Sequence, residues 1–515
     1  MDKKESFINH INDGYTCKGD SIVLGGAILD GQAIPNAHVK VPLKTMNRHG
    51  LIAGATGTGK TKTLQVISEQ LSEKGVPVLL MDVKGDLSGI AMQGEEKPFI
   101  TERHAKIGLP YSVKGCPVEL MTLSQQDGVR LRATVSEFGP VLLSRVLDLN
   151  DTQGSVLSVI FKYCDDQQMP LLDLKDLKKV IQYVTEEGKE EFESEYGKIS
   201  TSTTGIIIRK VMELEQQDAD LFFGELSYDI RDLMRRDRDG NGYINIVRLT
   251  DIQDKPKLFS TFMLCLLAEV YDIMPEKGDV EKPELVIFID EAHLIFNQAS
   301  KALLDEIETI VKLIRSKGIG VFFVTQNPMD VPNEVLAQLG LKVQHALRAF
   351  TAIDRRAIKL TAENFPLSDF YKTDEILTTL GTGEALVTAL NEKGIPTPLA
   401  ATMIRAPMSR MDILSPDEIA SINRASDLVQ KYSQVIDRES AYEILGRKVE
   451  IIEKEQAEEE ARKDWEKGRE ADWGRRTSRT TRSAGRKRSG VSPVVKVLTS
   501  ATFIRGMMGI LKRVM

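Results

Sequence analysis

GATGTGKT, at residues 54–61, follows the apolar segment LIA and precedes a segment of helical periodicity that runs to about residue 74. The motif fits G-x-x-x-x-G-K-[ST], and a strand before it with a helix after it makes such a match informative. Glycines at 57 and 59 let the backbone bend tightly, so that successive N–H groups and the helix N-terminus face an anion. The motif therefore predicts a phosphate-binding loop. The alternative, a glycine turn before a helix, has a chance of about a few per cent in a chain of this length.

The loop also assigns candidate roles to individual side chains. Lys60 is expected to reach the β- and γ-phosphates of a nucleotide, and the Thr61 hydroxyl is expected to ligate Mg²⁺. The predicted cofactors are therefore ATP and Mg²⁺. The candidate nucleotide-binding residues are the eight members of the motif: Gly54, Ala55, Thr56, Gly57, Thr58, Gly59, Lys60 and Thr61.

A second motif places two carboxylates after an apolar run. In LVIFIDEAH, at residues 285–293, Asp290 and Glu291 follow an apolar strand, and ligands of open α/β sheets bind at the carboxyl ends of strands. Asp290 is the candidate Mg²⁺ ligand together with Thr61, and Glu291 is the candidate base that polarises the attacking water. The alternative is the acid-rich first turn of a helix, and the presence of the phosphate-binding loop argues against it.

A third candidate is Gln326, at the polar end of the strand GVFFVTQ (320–326). If the strands are parallel, Gln326 emerges at the same edge of the sheet as Asp290. It could there sense the γ-phosphate or orient water. The alternative is an ordinary hydrogen bond at the end of a strand.

The alternation of strands and helices predicts the fold class. VPVLLMD (76–82) is nearly all apolar, which is typical of a strand buried on both faces of a parallel sheet. Further strands at 285–290, 320–326, 341–348 and 384–390 predict an α/β protein with a mostly parallel, helix-flanked sheet. The predicted segments are a short N-terminal β segment (1–46), the P-loop half of the core (47–97), a mostly helical insertion (98–255), the second half of the core (256–414), an acidic helical segment (415–470), and a basic linker with an amphipathic tail (471–515).

Composition limits the class of protein. The 515 residues are 42% hydrophobic and 28% charged, which excludes wholesale disorder, a collagen-like fibre and a disulfide scaffold. The net charge of −7 is not typical of a general nucleic-acid coat. The four cysteines form no C-x-x-C pair, and the N-terminus lacks the apolar region of a signal peptide. We expect a cytoplasmic protein with no integral membrane segment.

In order along the chain, these motifs resemble those of the HerA/FtsK superfamily of ring-forming ATPases, and within it the bacterial HerA-like proteins of the YjgR type. They occur in family order between about residues 47 and 390, so the resemblance covers most of the chain. The segments that carry it are NRHGLIAGATGTGKT, MDVKGDLSG, LVIFIDEAHLIF, KLIRSKGIGVFFVTQNPMDVP, QLGLKVQHALRAFT and LGTGEALVTAL.

The resemblance implies a RecA-like core that assembles into a homohexamer and couples ATP hydrolysis to translocation on double-stranded DNA. It also implies two arginines that complete the site, and these match Arg48 and Arg315. We interpret Arg315 as a finger acting on the neighbouring subunit's nucleotide; the alternative is a solvent-facing cation near a helix C-terminus. Residues 1–46 are too short for the N-terminal β-barrel of full-length archaeal HerA, so the archaeal role in DNA-end resection does not follow from the resemblance.

The C-terminal tail leaves several interpretations open. GRRTSRTTRSAGRKRSG carries seven Arg or Lys residues between positions 475 and 488, and an apolar segment with scattered cations follows it. The basic tract could bind nucleic acid, contact anionic lipid together with the apolar segment, or be a solvated linker. The alternative function is therefore a nucleotide-gated assembly or regulatory ATPase that acts on a protein or membrane partner through this tail.

Overall fold

The computed structural model describes residues 2–278, 280–296, 301–349, 351–434, 436 and 438–477. The chain divides into two units, Met1–Arg447 and Lys448–Met515. In the described part of the second unit, a helix carries ion pairs between side chains four residues apart, such as Glu459 with Lys463 at 2.7 Å. Nearly all of the basic tract and the whole apolar segment after it lie outside the described residues.

The strands of the first unit form one mixed sheet. Its order is β2-β1-β12-β11-β10-β3-β9-β8-β4-β7-β5-β6. The strands are β1 (Ser21–Leu29), β2 (Gln32–Pro42), β3 (Gly50–Ala53), β4 (Val78–Asp82), β5 (Val118–Thr122), β6 (Val129–Arg130), β7 (Ile244–Arg248), β8 (Leu285–Ile289), β9 (Ile319–Thr325), β10 (Leu341–His345), β11 (Glu384–Thr388) and β12 (Ala400–Ile404).

The described residues also form α-helices. They are α1 (Lys3–Gly14), α2 (Lys60–Glu73), α3 (Pro98–Ile107), α4 (Val135–Val146), α5 (Asp151–Asp166), α6 (Leu174–Thr185), α7 (Lys189–Tyr196), α8 (Thr201–Glu215), α9 (Pro256–Ile273), α10 (His293–Phe296), α11 (Lys301–Ile314), α12 (Asn333–Leu336), α13 (Ala352–Glu363), α14 (Thr373–Thr379), α15 (Pro416–Ala425), α16 (Asp427–Tyr432) and α17 (Ala441–Thr477).

The predicted α/β fold with a mostly parallel sheet is confirmed. All strands from β10 to β6 in the sheet order run parallel, whereas β11, β12, β1 and β2 add an antiparallel extension. The central strands β4, β8 and β9 are buried along their whole length, as the apolar runs predict.

The strand order determines which loops meet. β9 lies between β3 and β8, and β4 lies on the other side of β8. Because these strands are parallel, the turns that follow them gather at one edge of the sheet, here called the carboxyl edge. Neighbouring strands are about 4.8 Å apart, so the turn after β3 lies about 10 Å from the turn after β8.

The N-terminal segment differs from the predicted β segment. The pattern predicts only short strands before residue 46, whereas Lys3–Gly14 form helix α1. Phe7 and Ile11 are fully buried and lie one helical turn apart. Only three strongly apolar residues occur among the twelve of this helix, which is too sparse a pattern to indicate a helix from the sequence.

The region 98–255, predicted as a mostly helical insertion, also contributes strands to the main sheet. Helices α4–α8 occupy much of it, but β5, β6 and β7 belong to the main sheet. β7 pairs with both β4 and β5. Its sequence INIVR spans only five residues, and so short a run does not distinguish a strand from a loop by periodicity.

Two features considered from composition, membrane-spanning segments and cysteines, can be compared with the described residues. Among these residues, no helix combines the length and the apolar character needed to cross a bilayer. The four cysteines are free thiols, two of them buried.

Helix α1 supplies a first prediction, on stability. The Phe7 ring packs edge-on against Phe370 and Tyr371, with centroids 5.2 and 6.0 Å away. Phe7→Ala is expected to lower the free energy of unfolding by about 3–5 kcal/mol, because it opens a cavity in the core. Phe99→Ala, at a ring that is 59% exposed, is the matched control, with an expected change of less than about 0.5 kcal/mol. Equal decreases in the free energy of unfolding of the two variants, measured by chemical denaturation, would contradict the assignment of Phe7 to the core.

Candidate nucleotide site

The loop at 54–61 joins β3 to α2, as predicted. Gly57 and Gly59 have φ values of 77° and 112°, a region that side chains with a Cβ rarely adopt. A Cβ on Gly57 would meet no atom within 4 Å, and Gly57 is exposed at the tip of the loop. The loop therefore leaves open space before the first turn of α2, where Thr61 lies half-buried.

Backbone hydrogen bonds connect the loop to neighbouring segments. The Ala55 N–H donates to the Ala346 carbonyl at 2.9 Å, and the Gly383 N–H donates to the Thr58 carbonyl at 2.8 Å. A Cβ on Gly59 would lie 3.1 Å from the Gly383 Cα. The turns after β10 and before β11 thus support the loop from one side.

His345 lies beneath the loop and is fully buried. One ring nitrogen is 2.9 Å from the Thr63 hydroxyl, and the other is 2.9 Å from the Glu384 carbonyl. Burial lowers the pKa of His345 to about 4, so the ring is neutral at pH 7. The sequence offers no metal partner for His345, and its neutral, hydrogen-bonded state supports a packing role under the loop.

Lys60 folds back over its own loop. Its ammonium donates to the Gly54 carbonyl at 2.7 Å and to the Ala55 carbonyl at 3.2 Å. Burial, and then the nearby Lys84 charge, lowers the pKa of Lys60. A desolvated cation at the mouth of a loop lined by N–H groups is well placed to bind an anion.

Asp290 and Glu291 follow β8 at the carboxyl edge, where the sequence predicts them. Both are buried, with exposures of 6% and 4%. Burial, and then the charge of Glu291, raises the pKa of Asp290 to about 7. Glu291 has a φ of 50°, a left-handed conformation uncommon outside glycine and frequent at functional sites.

Lys84 is a site residue that the sequence motifs do not assign. It lies two residues beyond β4, is partly exposed, and forms an ion pair with Glu291. Burial lowers the pKa of Lys84, but the pairing with Glu291 and the charge of Asp290 outweigh it, so that the pKa is raised overall. His293 Nδ1 lies 3.2 Å from the other Glu291 oxygen. Glu291 is therefore held from two sides.

Asp82 shapes the turn that carries Lys84. Its carboxylate accepts hydrogen bonds from the N–H groups of Gly85 at 2.8 Å and of Leu87 at 3.2 Å. Burial, and then the charge of Asp86, raises the pKa of Asp82 to about 6. The motif MDVKGDLSG thus places a lysine beside the Asp290–Glu291 pair, because β4 is the parallel neighbour of β8.

Gln326 lies between the loop and the acidic pair, at the end of β9. Its side-chain oxygen accepts a hydrogen bond from the Thr56 hydroxyl at 3.2 Å. Beside it is a cavity of about 370 Å³, whose lining also includes Arg348. The structure therefore brings Gln326 into the candidate site.

Arg48 and Arg315 lie at the opposite edge of the sheet. Arg48 precedes β3 and packs against Gly394, and Arg315 precedes β9 in an exposed short turn. β9 has seven residues and spans about 23 Å at 3.3 Å per residue. Arg315 therefore lies about a strand's length from the loop of its own chain.

His49 lies between the two arginines. The Val321 N–H donates to its Nδ1 at 3.0 Å. Burial, and then to a smaller extent Arg315, lowers the pKa of His49 to about 4; the ring is therefore neutral at pH 7. His49 therefore adds no positive charge to that of Arg48, Arg315 and Lys317 at this edge.

The residues present fit a bound Mg²⁺. Asp290 is a buried carboxylate beside a second one, and a divalent cation would relieve their repulsion. Among the described residues, no group of three or more His, Cys, Asp or Glu side chains forms a metal site. This suits Mg²⁺ in a nucleotide site, which takes one or two protein ligands and completes its shell with phosphate and water.

Comparison with known proteins identifies relatives across most of the chain. The family model for the helicase HerA-like C-terminal region matches residues 28–514. The DNA double-strand break repair helicase HerA of Sulfolobus acidocaldarius is 21% identical over 358 residues, which are 68% of this chain and 64% of that protein. The protein of the same description from Sulfurisphaera tokodaii is 23% identical over 434 residues, 80% of this chain and 76% of that protein. This chain therefore spans less than two thirds of the length of the first relative.

A solved structure shares the fold. The bacterial conjugative coupling protein TrwBdeltaN70, in a trigonal form with sulphate, aligns with a TM-score of 0.51 at 14% identity. The alignment covers 79% of this chain and 94% of that one. At this identity the similarity concerns the arrangement of strands and helices.

Proposed function

The chain belongs to the helicase HerA-like C-terminal family, and from this premise we propose that it is a Mg²⁺-dependent ATPase that assembles into a homohexamer and moves on double-stranded DNA. The observation that carries the ATPase is the meeting, at one edge of the sheet, of the loop 54–61 with Asp290 and Glu291. ATP hydrolysis requires phosphate binding, a metal site and a base within one site, and these residues offer all three.

We assign phosphate binding to the loop 54–61 and, within it, to the Lys60 side chain. No side chain caps the N-terminus of α2, and a Cβ on Gly57 would meet no atom within 4 Å, so the first turn of the helix is open to an anion. Lys60 now donates to two loop carbonyls and would exchange them for phosphate oxygens. That exchange replaces neutral acceptors by charged ones, which strengthens each hydrogen bond.

We assign Mg²⁺ binding to Thr61 and Asp290. When bound, Mg²⁺ neutralises charge that develops on the transferring phosphate. Thr61 is available in the first turn of α2, and Asp290 faces the same edge from β8. Asp290 must be deprotonated to hold the ion, and its pKa of about 7 falls when a cation is near.

Glu291 is the proposed base, and Lys84 is its positioning residue. Glu291 would take a proton from the attacking water, while Gln326 holds the water from the neighbouring strand. The ion pair with Lys84 fixes the position of the buried Glu291 carboxylate beside the carboxyl edge. Removing one partner of a buried pair leaves the other charge uncompensated.

Arg315 is the proposed finger from the neighbouring subunit. It is exposed, and it lies a strand's length away from its own loop. A ring with head-to-tail contacts brings such an edge of one subunit to the nucleotide of the next. Arg48, at the same edge, is proposed to assist it. Hydrolysis would then depend on assembly.

Steady-state ATP hydrolysis, measured with and without linear double-stranded DNA, tests this function. Lys60→Ala serves as the blank. Stimulation of hydrolysis by DNA, with a DNA affinity that falls steeply with salt, is the expected result. A rate above the blank that DNA does not change would retain the ATPase, reject DNA as the substrate, and favour a protein or membrane partner. A rate equal to the blank would reject the ATPase.

Lys84→Met is expected to reduce kcat by about 10- to 100-fold, the usual cost of losing a residue that orients a functional group. The KM for ATP is expected to change little, because Lys84 contacts the base and not the loop. Lys84→Arg should recover part of the loss, and Lys359→Met, at an exposed lysine of α13, is the matched control. An unchanged kcat, or a loss expressed only in KM, would contradict the positioning role.

A further inference from the structure

A second polar cleft lies far from the loop 54–61. Its volume is about 780 Å³, within the range of small-molecule sites, and it lies between β6, the turn before it, and helices α15 and α16. β5 and β3 are five strand spacings apart in the sheet order, or about 24 Å. The cleft is therefore separate from the candidate nucleotide site.

Three arginines line this cleft: Arg130, Arg132 and Arg424. Against them stands one carboxylate in the lining, that of Asp127. The Arg132 guanidinium donates to the Glu225 carbonyl at 2.6 Å, and among the described residues none of the ion pairs involves Arg130 or Arg424. Burial, and then the charge of Arg130, lowers the pKa of Arg132. The chain, which has a net charge of −7, thus concentrates uncompensated positive charge at this cleft.

The cleft also contains buried amide groups without partners. Asn423, on α15, is nine-tenths buried, and neither its side-chain oxygen nor its nitrogen has a hydrogen-bond partner within the described part of the chain. The side-chain oxygen of Gln126 is likewise buried and unpaired, while its nitrogen donates to Thr250 at 3.0 Å. A buried polar group without a hydrogen-bond partner is unfavourable, because its lost hydration is not replaced. A bound ligand with both donors and acceptors would remove that cost.

We propose that this cleft is a nucleotide-binding site, in which Arg130, Arg132 and Arg424 hold phosphate oxygens while Asn423 and Gln126 hydrogen-bond to the base or sugar. Guanidinium groups form two parallel hydrogen bonds to phosphate, and a side-chain amide pairs with the donor and acceptor edge of a base. The same chemistry is presented by a free nucleotide and by one nucleotide of a DNA strand. The inference uses none of the residues of the proposed ATPase, and only its DNA outcome rests on the proposed action on double-stranded DNA.

The experiment uses the full chain, two probes and matched variants. Arg130→Ala/Arg424→Ala removes two cations from the cleft, and Arg145→Ala/Arg209→Ala removes two exposed arginines elsewhere. One probe is a fluorescein-labelled DNA duplex of 20 base pairs, followed by anisotropy over a range of salt. The other is ADP, whose stoichiometry per chain is measured by calorimetry with wild type and with Lys60→Ala. Basal ATP hydrolysis is measured for every variant.

The outcomes distinguish a DNA strand from a free nucleotide as the ligand of the cleft. Weakening of duplex affinity by tenfold or more in the cleft variant alone, with a salt dependence reduced by about two phosphate contacts, would assign the cleft to DNA. Loss of a second ADP per chain, again only in the cleft variant, would assign it to a free nucleotide. Unchanged binding of both probes would overturn the proposal.

Asn423→Ala tests ligand binding in the cleft without changing its charge. The variant removes an unpaired amide and no charge, so a merely structural role predicts no loss of either probe. The proposal predicts weaker binding of the probe that the arginine variant loses. Basal hydrolysis at the loop 54–61 should stay at the wild-type rate in both cleft variants, so that failure of the ATPase and failure of the cleft are observed separately.

Discussion

Glu291→Gln is expected to reduce ATP hydrolysis by about 10²–10⁴-fold, the usual contribution of a general base. The substitution keeps the shape of the side chain but removes the oxygen that would accept a proton from water. Glu291 is buried at 4% exposure, in a left-handed backbone conformation, and paired with Lys84. ATP binding should be retained, because the residues that would bind phosphate belong to the loop 54–61.

Two measurements test whether Glu291→Gln retains ATP binding and loses hydrolysis. Titration with a fluorescent ATP analogue reports binding, and phosphate release at saturating ATP reports turnover. Glu334→Gln, at an exposed glutamate of α12, is the matched control and should hydrolyse ATP at the wild-type rate. Near-normal turnover by Glu291→Gln would mean that another group is the base.

Local sequence patterns predict those parts of the site that one segment builds alone. The glycine-rich loop needs a strand, a few residues at fixed spacing and a helix, and all of these are contiguous in the chain. The Asp290–Glu291 pair needs only an apolar strand before it. Both motifs lie where predicted because their geometry depends on their nearest neighbours in sequence.

Lys84 could not be assigned in this way. It lies 207 residues before Glu291 in the chain, and the two meet because β4 and β8 are parallel neighbours. Strand order depends on packing over the whole sheet, and no local periodicity encodes it. The helix α1 and the strand β7 were missed for a related reason. The apolar residues of α1 are few and the run of β7 is short, so both depend on contacts made by distant parts of the chain.

The two edges of the sheet carry different parts of the proposed site. The carboxyl edge collects the loop, Asp290, Glu291 and Gln326, whereas Arg48 and Arg315 lie at the edge where β3 and β9 begin. With the proposed phosphate site and the proposed finger on opposite edges, the proposed mechanism requires a second chain. We therefore expect the ATPase rate per chain to rise with protein concentration until the ring forms.

Arg315→Ala is expected to leave assembly intact and to reduce turnover by about 10³–10⁵-fold, the range for arginine fingers. Lys317→Ala, in the same short turn, removes an equal charge and should leave the rate near wild type.

Mixed rings test whether Arg315 acts on the neighbour. Chains with Arg315→Ala keep an intact loop, and chains with Lys60→Ala keep an intact finger, so neither variant should hydrolyse ATP alone. When they are mixed in equal amounts, about a quarter of the interfaces of a head-to-tail ring combine an intact loop with an intact finger, and activity should return. If Arg315 acted within its own chain, every chain in the mixture would still carry one defect and the mixture would stay inactive. Recovery of hydrolysis on mixing would thus support the neighbour's arginine as part of the site.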